Sequence, residues 1–119
     1  MKPRLILASA SAIRGRILKA AGVPMLAGSD AMTSGVVSGF SLQEELGLLV
    51  EAGLTNEEAL TSATRLPAVW LGVDGDRGTI EAGKRADLVL LDANPVAAIT
   101  NTRKIAGVFV GGRWLDRAK

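Results

Sequence analysis

The sequence has no cysteine, no histidine and no tyrosine, and it has only two tryptophans and two phenylalanines. Without cysteine there is no disulfide framework and no thiolate metal site. Without histidine, no imidazole is available to share a metal ion or a proton with a carboxylate. Because aromatic residues are scarce, we expect a core built from leucine, valine, isoleucine and alanine.

The charged residues are not clustered, and the net charge is only +2 over 119 residues. A nucleic-acid-binding surface usually needs a clustered basic face, often with aromatic side chains for stacking, so we expect no nucleic-acid partner. The apolar run near the start is too short for a signal peptide, and no run approaches the length of a membrane span. The composition therefore predicts a soluble, cytoplasmic chain of one small domain or two very small subdomains.

The first part of the chain has the pattern of a strand, a helix and a second strand. Arg4–Ala8 is a continuous apolar run, Ser9 or Ser11 can cap a helix that stops at Gly22, and Met25–Gly28 is a second apolar run. The spacing predicts a right-handed, parallel βαβ unit. One face of its helix is apolar: Ile13, Ile17, Leu18 and Ala21.

The middle of the chain is predicted to be helical. Two S/T-x-x-E patterns, Ser41 with Glu44 and Thr55 with Glu58, are capping boxes that predict two helix starts. Pro67 fits the first turn of a third, short helix. The apolar stripe of the first of these helices is Leu42, Leu46, Leu49 and Val50.

From about residue 74 the chain has frequent glycines and β-rich runs. A strand is predicted within Ala86–Leu91, and Val108–Val110 leads through Gly111-Gly112 into Arg113–Leu115, which is the pattern of a two-residue hairpin. We therefore expect an α/β part over residues 1–73 and a small antiparallel β part over residues 74–119.

Several chemically capable side chains have structural explanations. Asp87 and Asp92 flank an apolar run, where acids most often cap turns, and Trp70 and Trp114 are expected to pack between the helical and β parts. A D-x-D-x-G pattern suggests calcium but lacks the later bidentate glutamate of an EF-hand, so turn chemistry is the better interpretation. Its acids are Asp74 and Asp76, with Glu81 nearby.

Residues from about 23 to 119 resemble the C-terminal portion of the amidohydrolase superfamily, nearest to its imidazolonepropionase-like and Xaa-Pro or Xaa-Arg dipeptidase group. The resemblance implies that the first matching block is the eighth strand of a metal-bearing (β/α)8 barrel and that the last two blocks form a small β-sandwich. The expected fold is thus an incomplete barrel, because the type fold needs about 250 residues. The matching blocks are LAGSDA (26–31), GFSLQEELGLLVEAGLTNEEALTSAT (39–64), GTIEAGKRADLVLLDANP (78–95) and VFVGGRWLD (108–116).

The same resemblance gives Asp30 a role. It occupies the position of the family's strand-eight aspartate, which binds the divalent metal, usually zinc, and acts as general base and acid on the metal-bound water. The family's other ligands are histidines on earlier strands and, in many members, a carboxylated lysine. A catalytic zinc ion is bound by about three protein ligands, and this chain has no histidine. We therefore expect a fragment of a C–N-bond hydrolase that binds no metal and is inactive by itself.

The start of the chain resembles another family. Arg4–Val23 is similar to the opening of the Maf-type nucleotide pyrophosphatases, in which an S-x-S-[PA]-x-R loop leads into a helix. Ser9, Ser11 and Arg14 match this pattern. Hydroxyls and a guanidinium at a helix start suit a phosphate, so weak phosphate or nucleotide binding is an alternative function.

Assembly is the last expectation. Two parallel strands are too few for a stable sheet, so their missing neighbours must come from the missing barrel half or from a second copy. We expect a homo-oligomer, most simply a dimer, paired through Arg4–Ala8, Met25–Gly28 or Val108–Val110. A non-enzymatic, self-associating α/β protein or a chimera of the two families is the alternative to an enzyme fragment.

Overall fold

The structure is a computed structural model that describes residues 12–29 and 39–116. Within these ranges it contains four α-helices, one 3-10 helix and one antiparallel sheet of three strands. In chain order the elements are α1 (Ala12–Ala20), α2 (Ser41–Glu51), α3 (Asn56–Ala63), α4 (Arg65–Leu71), β1 (Leu88–Leu91), the 3-10 helix (Ile99–Arg103), β2 (Ile105–Val110) and β3 (Arg113–Asp116). The described helices include none that is long and apolar enough to cross a membrane.

Helix α1 forms and stops where the sequence predicts. Gly22 has a φ of 67°, the N–H of Gly22 donates to the carbonyl of Lys19, and the N–H of Val23 donates to that of Leu18, each at 3.0 Å. This left-handed ending satisfies carbonyls that the last turn leaves unpaired, and glycine adopts it without a Cβ penalty.

The prediction that the apolar face of α1 is buried is wrong for its two isoleucines. Ile13 is 68% exposed and Ile17 is 64% exposed. The helix instead presents Gly15 to the end of α2, so closely that a Cβ at Gly15 would lie 2.7 Å from the Cβ of Ala52. The described residues provide no strand for the isoleucine face to cover, and the close approach through glycine fixes the packing.

The two predicted capping boxes have different outcomes. At α3 the prediction is confirmed: the Glu58 N–H donates to Thr55 Oγ1 at 3.1 Å and the Thr55 N–H donates to Glu58 Oε2 at 2.9 Å. At α2 it is wrong, because Ser41 is already inside the helix and the N-cap residue is Phe40, which makes no side-chain cap. A capping box requires its serine to precede the first helical residue.

The core of the described structure lies between α2, α3 and the 3-10 helix. Leu46 and Ala59 pack there against Ile99, and Thr102 of the 3-10 helix is also buried. Thr102 Oγ1 donates to Gln43 Oε1 at 2.5 Å, which joins the 3-10 helix to α2. The connection between β1 and β2 therefore completes the helical core. Pro67 lies in the first turn of α4, as predicted.

The sheet confirms the predicted hairpin. Val110 pairs with Arg113 across Gly111 and Gly112, whose φ angles of 56° and 81° suit a two-residue turn. Strand β2 is the central strand, since it pairs with both β1 and β3. Val108 and Phe109 thus have strand partners on both sides within the chain, and Val110 pairs with Arg113. The expectation that Val108–Val110 pairs across a subunit interface stays a prediction.

The predicted βαβ unit is not formed by the described residues. Arg4–Ala8 lies outside them, and Met25–Gly28 is irregular rather than a strand. The N–H groups of Ala27 and Gly28 bind helices, as detailed below, and no strand among the described residues pairs with this segment. Trp114, expected between the two parts, packs within the sheet: its ring lies 4.9 Å from that of Phe109 and covers Gly107.

Candidate functional site

The segment that leads to Asp30 is the candidate site that the structure describes. Asp30 itself lies outside the described residues, as do Ser9 and Ser11. In the five residues before it, Met25 is buried, and the N–H of Ala27 donates to the carbonyl of Ser62 at 2.9 Å. This carbonyl belongs to the last turn of α3, where carbonyls lack helical partners. The helix end thus offers the acceptor that the irregular segment needs.

A second helix binds the next residue of this segment. The N–H of Gly28 donates to Glu45 Oε1 of α2 at 2.8 Å. Burial raises the pKa of the Glu45 carboxyl, while the hydrogen bond from Gly28 acts in the opposite direction. Two successive residues before Asp30 are therefore fastened to α3 and α2.

Glu45 is a residue that the sequence patterns did not indicate. It is the second of two adjacent glutamates in α2, and its neighbour Glu44 is exposed. A signal was present, because Glu45 directly precedes the buried Leu46 and lies four residues before Leu49, so it borders the apolar stripe of the helix. An acid in that position is more desolvated than one on the opposite face.

The donor set does not fit a catalytic zinc centre made by this chain alone. A catalytic zinc takes about three ligands from histidine, cysteine, aspartate and glutamate. The sequence has no histidine or cysteine, and residues 12–29 and 39–116 bring no three such side chains together. Within the part of the chain that the structure describes, no such group of ligands is available to join Asp30.

The residues of the expected phosphate site are only partly described. Arg14 lies on α1 and is exposed, while both serines fall in the range 1–11, outside the described residues. The grouping of the three side chains therefore stays a prediction.

A surface groove of about 310 Å³ lies where α1, the segment after it and α3 meet. Its apolar lining includes Met25, Leu54 and Leu66. On its rim Lys19 Nζ lies 2.6 Å from Glu58 Oε1, and this hydrogen bond is the main reason that the pKa of Glu58 is lowered. The same carboxylate completes the capping box of α3, so these polar groups already serve the fold.

The acids of the β part stabilise turns, as predicted for Asp87. Its Oδ1 accepts a hydrogen bond from the Gly111 N–H at 2.7 Å, which lowers the pKa of Asp87, with Arg85 adding to the effect. Asp76 pairs with Arg77 at 2.7 Å. Glu81 accepts from the hydroxyl of Thr79, which lowers its pKa.

Comparison with known proteins gives one consistent result. A model of the amidohydrolase family matches residues 2–115. The imidazolonepropionase of Maricaulis maris is 37% identical over 102 residues, which are 82% of this chain and 25% of that protein. The 5'-deoxyadenosine deaminase of Methanobrevibacter smithii is 44% identical over 54 residues, 45% of this chain and 12% of the relative.

Solved structures agree. A Xaa-Pro dipeptidase with bound methionine in its active site superposes with a TM-score of 0.79 at 29% identity, covering 89% of this chain and 25% of that one. Molinate hydrolase gives a TM-score of 0.79 at 29% identity, over 87% of this chain and 26% of that one. This chain thus spans about a quarter of the imidazolonepropionase and of the two solved structures. The family match already includes the start that resembles the Maf-type proteins.

Proposed function

This chain belongs to the amidohydrolase family, and from that premise we propose that it is one part of a metal-dependent hydrolase that cleaves C–N bonds in peptides or cyclic amides. The observation that carries the proposal is the superposition of nine-tenths of the chain on a quarter of a Xaa-Pro dipeptidase. The relatives named as an imidazolonepropionase and a dipeptidase suggest the substrate class.

In this proposal Asp30 supplies the carboxylate that takes and returns a proton during hydrolysis. The described segment supports that role, because Ala27 and Gly28 are bound to two helices just before it. The histidine ligands come from the part of the fold that this sequence does not contain. The isolated chain is therefore catalytically silent.

A graft tests the proposal. The matching quarter of the Maricaulis maris imidazolonepropionase is replaced by this chain, and hydrolysis of imidazolonepropionate is measured with and without Asp30→Asn. We expect activity in the graft and a loss of about 100-fold or more in the variant. A folded, metal-loaded graft without activity would contradict the proposal.

The expected lack of catalytic activity of the isolated chain is tested separately. The purified chain is assayed on dipeptides in the presence of zinc. Turnover at an enzyme-like rate that Asp30→Ala abolishes would show that the chain is a complete catalyst. An upstream reading frame that encodes an H-x-H strand motif would instead favour a divided amidohydrolase.

We further propose that the chain associates, either with the missing barrel part or as a dimer. Support comes from apolar side chains left exposed on α1 and β1, such as Ile17 and Leu90. The available strand edges are those of β1 and β3, since β2 is paired on both sides. Sedimentation equilibrium decides: we expect a mass near twice 12.3 kDa for the isolated chain, and a folded, cooperative monomer would contradict the dimer.

Phosphate binding at Ser9, Ser11 and Arg14 is the alternative function. Its support is the spacing of two hydroxyls and a guanidinium at the start of α1. The test is an NMR titration with inorganic phosphate. Movement of the amide signals of Ala10–Ile13 at millimolar concentration supports binding, and unmoved signals exclude it.

A further inference from the structure

We propose that Glu45 is a positioning residue that fixes the main chain immediately before Asp30 through its hydrogen bond with Gly28. This inference rests on the proposed function, in which Asp30 is the catalytic carboxylate. The contact joins residues that are 17 positions apart, and it is made by a side chain that the sequence patterns did not indicate.

The geometry gives the first reason. Ala27 is bound to α3 and Gly28 is bound to α2, so two successive peptide groups have acceptors on two different helices. A single acceptor would leave the peptide free to rotate about that bond, whereas two acceptors on separate helices restrict both its place and its rotation. The Gly28 bond is the later of the two and therefore the nearer to Asp30.

The choice of side chain gives the second reason. An ionised acceptor makes a stronger hydrogen bond to a peptide N–H than a neutral one does. Glu45 is half-buried, so the fold accepts a desolvation cost at this position, and that burial raises the pKa of its carboxyl. Glu44, one residue earlier in the same helix, is exposed.

The distance to Asp30 gives the third reason. Two residues of chain span at most about 7 Å, so Asp30 can lie no farther than that from the bound Gly28. Displacement of a catalytic group by about 1 Å can cost about 100-fold in rate. A contact that fixes Gly28 therefore limits the region that Asp30 can reach.

The test is made on the full chain by NMR, with hydrogen exchange of individual amides. Glu45→Ala removes the acceptor, Glu45→Gln keeps an oxygen in its place, and Glu44→Ala is the matched control on the same helix. In Glu45→Ala we expect Gly28 to exchange about 10- to 100-fold faster and the amide signals of Ser29 and Asp30 to shift. Glu45→Gln should give protection between that of the parent chain and that of Glu45→Ala, because its neutral oxygen is a weaker acceptor, and Glu44→Ala should leave it unchanged.

Two outcomes would overturn the proposal. One is an exchange rate at Gly28 that is the same in the parent chain and in Glu45→Ala. The other is a uniform acceleration along the chain in both Glu45 variants, which would make the residue a general stabilising one. Neither readout requires hydrolysis, so a failed graft would refute the proposed function while leaving this test intact.

Discussion

The helical part and the sheet bury their side chains to different extents. In the helical part Ala59 is completely buried and Leu46 is 4% exposed. In β1, Val89 is 57% exposed and Leu90 is 54% exposed. Because adjacent residues of a strand point to opposite faces, this strand is uncovered on both sides of the sheet.

This difference in burial indicates that the helical part, and not the sheet, has a core of its own. The helices receive a closing side chain, Ile99, from the 3-10 helix, and so complete a small core. A sheet needs a second layer on at least one apolar face. Few described residues cover the sheet of this chain. This is consistent with the chain covering a quarter of the dipeptidase on which it superposes.

The largest expected effect is a difference in stability loss when a leucine is replaced by alanine in the helical core and in the sheet. Leu46→Ala leaves a cavity in the helical core and should lower the free energy of unfolding by about 2–5 kcal/mol. Leu90→Ala removes the same atoms from an exposed strand position and should cost less than about 1 kcal/mol. Urea unfolding measures both. Equal losses would mean that Leu90 is covered in solution, as association through the sheet would require.

Glycine substitutions give the next effect. A Cβ at Gly107 would overlap the indole of Trp114, so Gly107→Ala should displace that ring from Phe109 and cost about 1–3 kcal/mol. Gly47 lies in α2, where an added Cβ would meet no other atom within 4 Å, so Gly47→Ala should stabilise the chain by up to about 1 kcal/mol. Urea unfolding followed by tryptophan fluorescence reports both changes. A neutral Gly107→Ala would show that the indole is not held in place.

The capping box offers a smaller effect within the helical part. Thr55→Ala removes the acceptor of the Glu58 N–H and should cost about 1 kcal/mol. Thr55→Ser keeps the hydroxyl and serves as the control, with a loss well below that of alanine. Thermal unfolding by circular dichroism measures the difference. If serine and alanine were equally destabilising, the methyl group rather than the cap would be responsible.

The smallest expected effect is the pH dependence of the contribution that Asp87 makes to stability. The pKa of Asp87 is lowered in the folded chain, chiefly by the Gly111 N–H, so its ionised form stabilises the fold above the ordinary aspartate pKa. That contribution is lost as the pH falls through the lowered value. The stability difference between the parent chain and Asp87→Asn should therefore shrink on acidification. Urea unfolding at neutral and acidic pH measures it, and a constant difference would contradict the linkage.

Much of the local structure could be predicted from the sequence. The end of α1 at Gly22, the capping box at Thr55 and Glu58, and the turn at Gly111 and Gly112 all formed as expected. The membership of the amidohydrolase family was also indicated by blocks of the sequence. Each of these signals is contained in a few neighbouring residues, because caps and turns depend on the local φ angles and hydrogen bonds.

Only the tertiary structure decided the contacts between distant segments. Periodicity could not tell that α1 packs through Gly15 and leaves Ile17 exposed, since a face is buried only where a partner exists to cover it. Nor could it place Ile99 in the helical core or Glu45 on the Gly28 N–H, because both contacts join residues far apart in the chain. The sequence alone determined where α1 ends, where α3 begins and where the hairpin turns. The packing of those elements decided which groups accept the hydrogen bonds of Ala27 and Gly28 before Asp30.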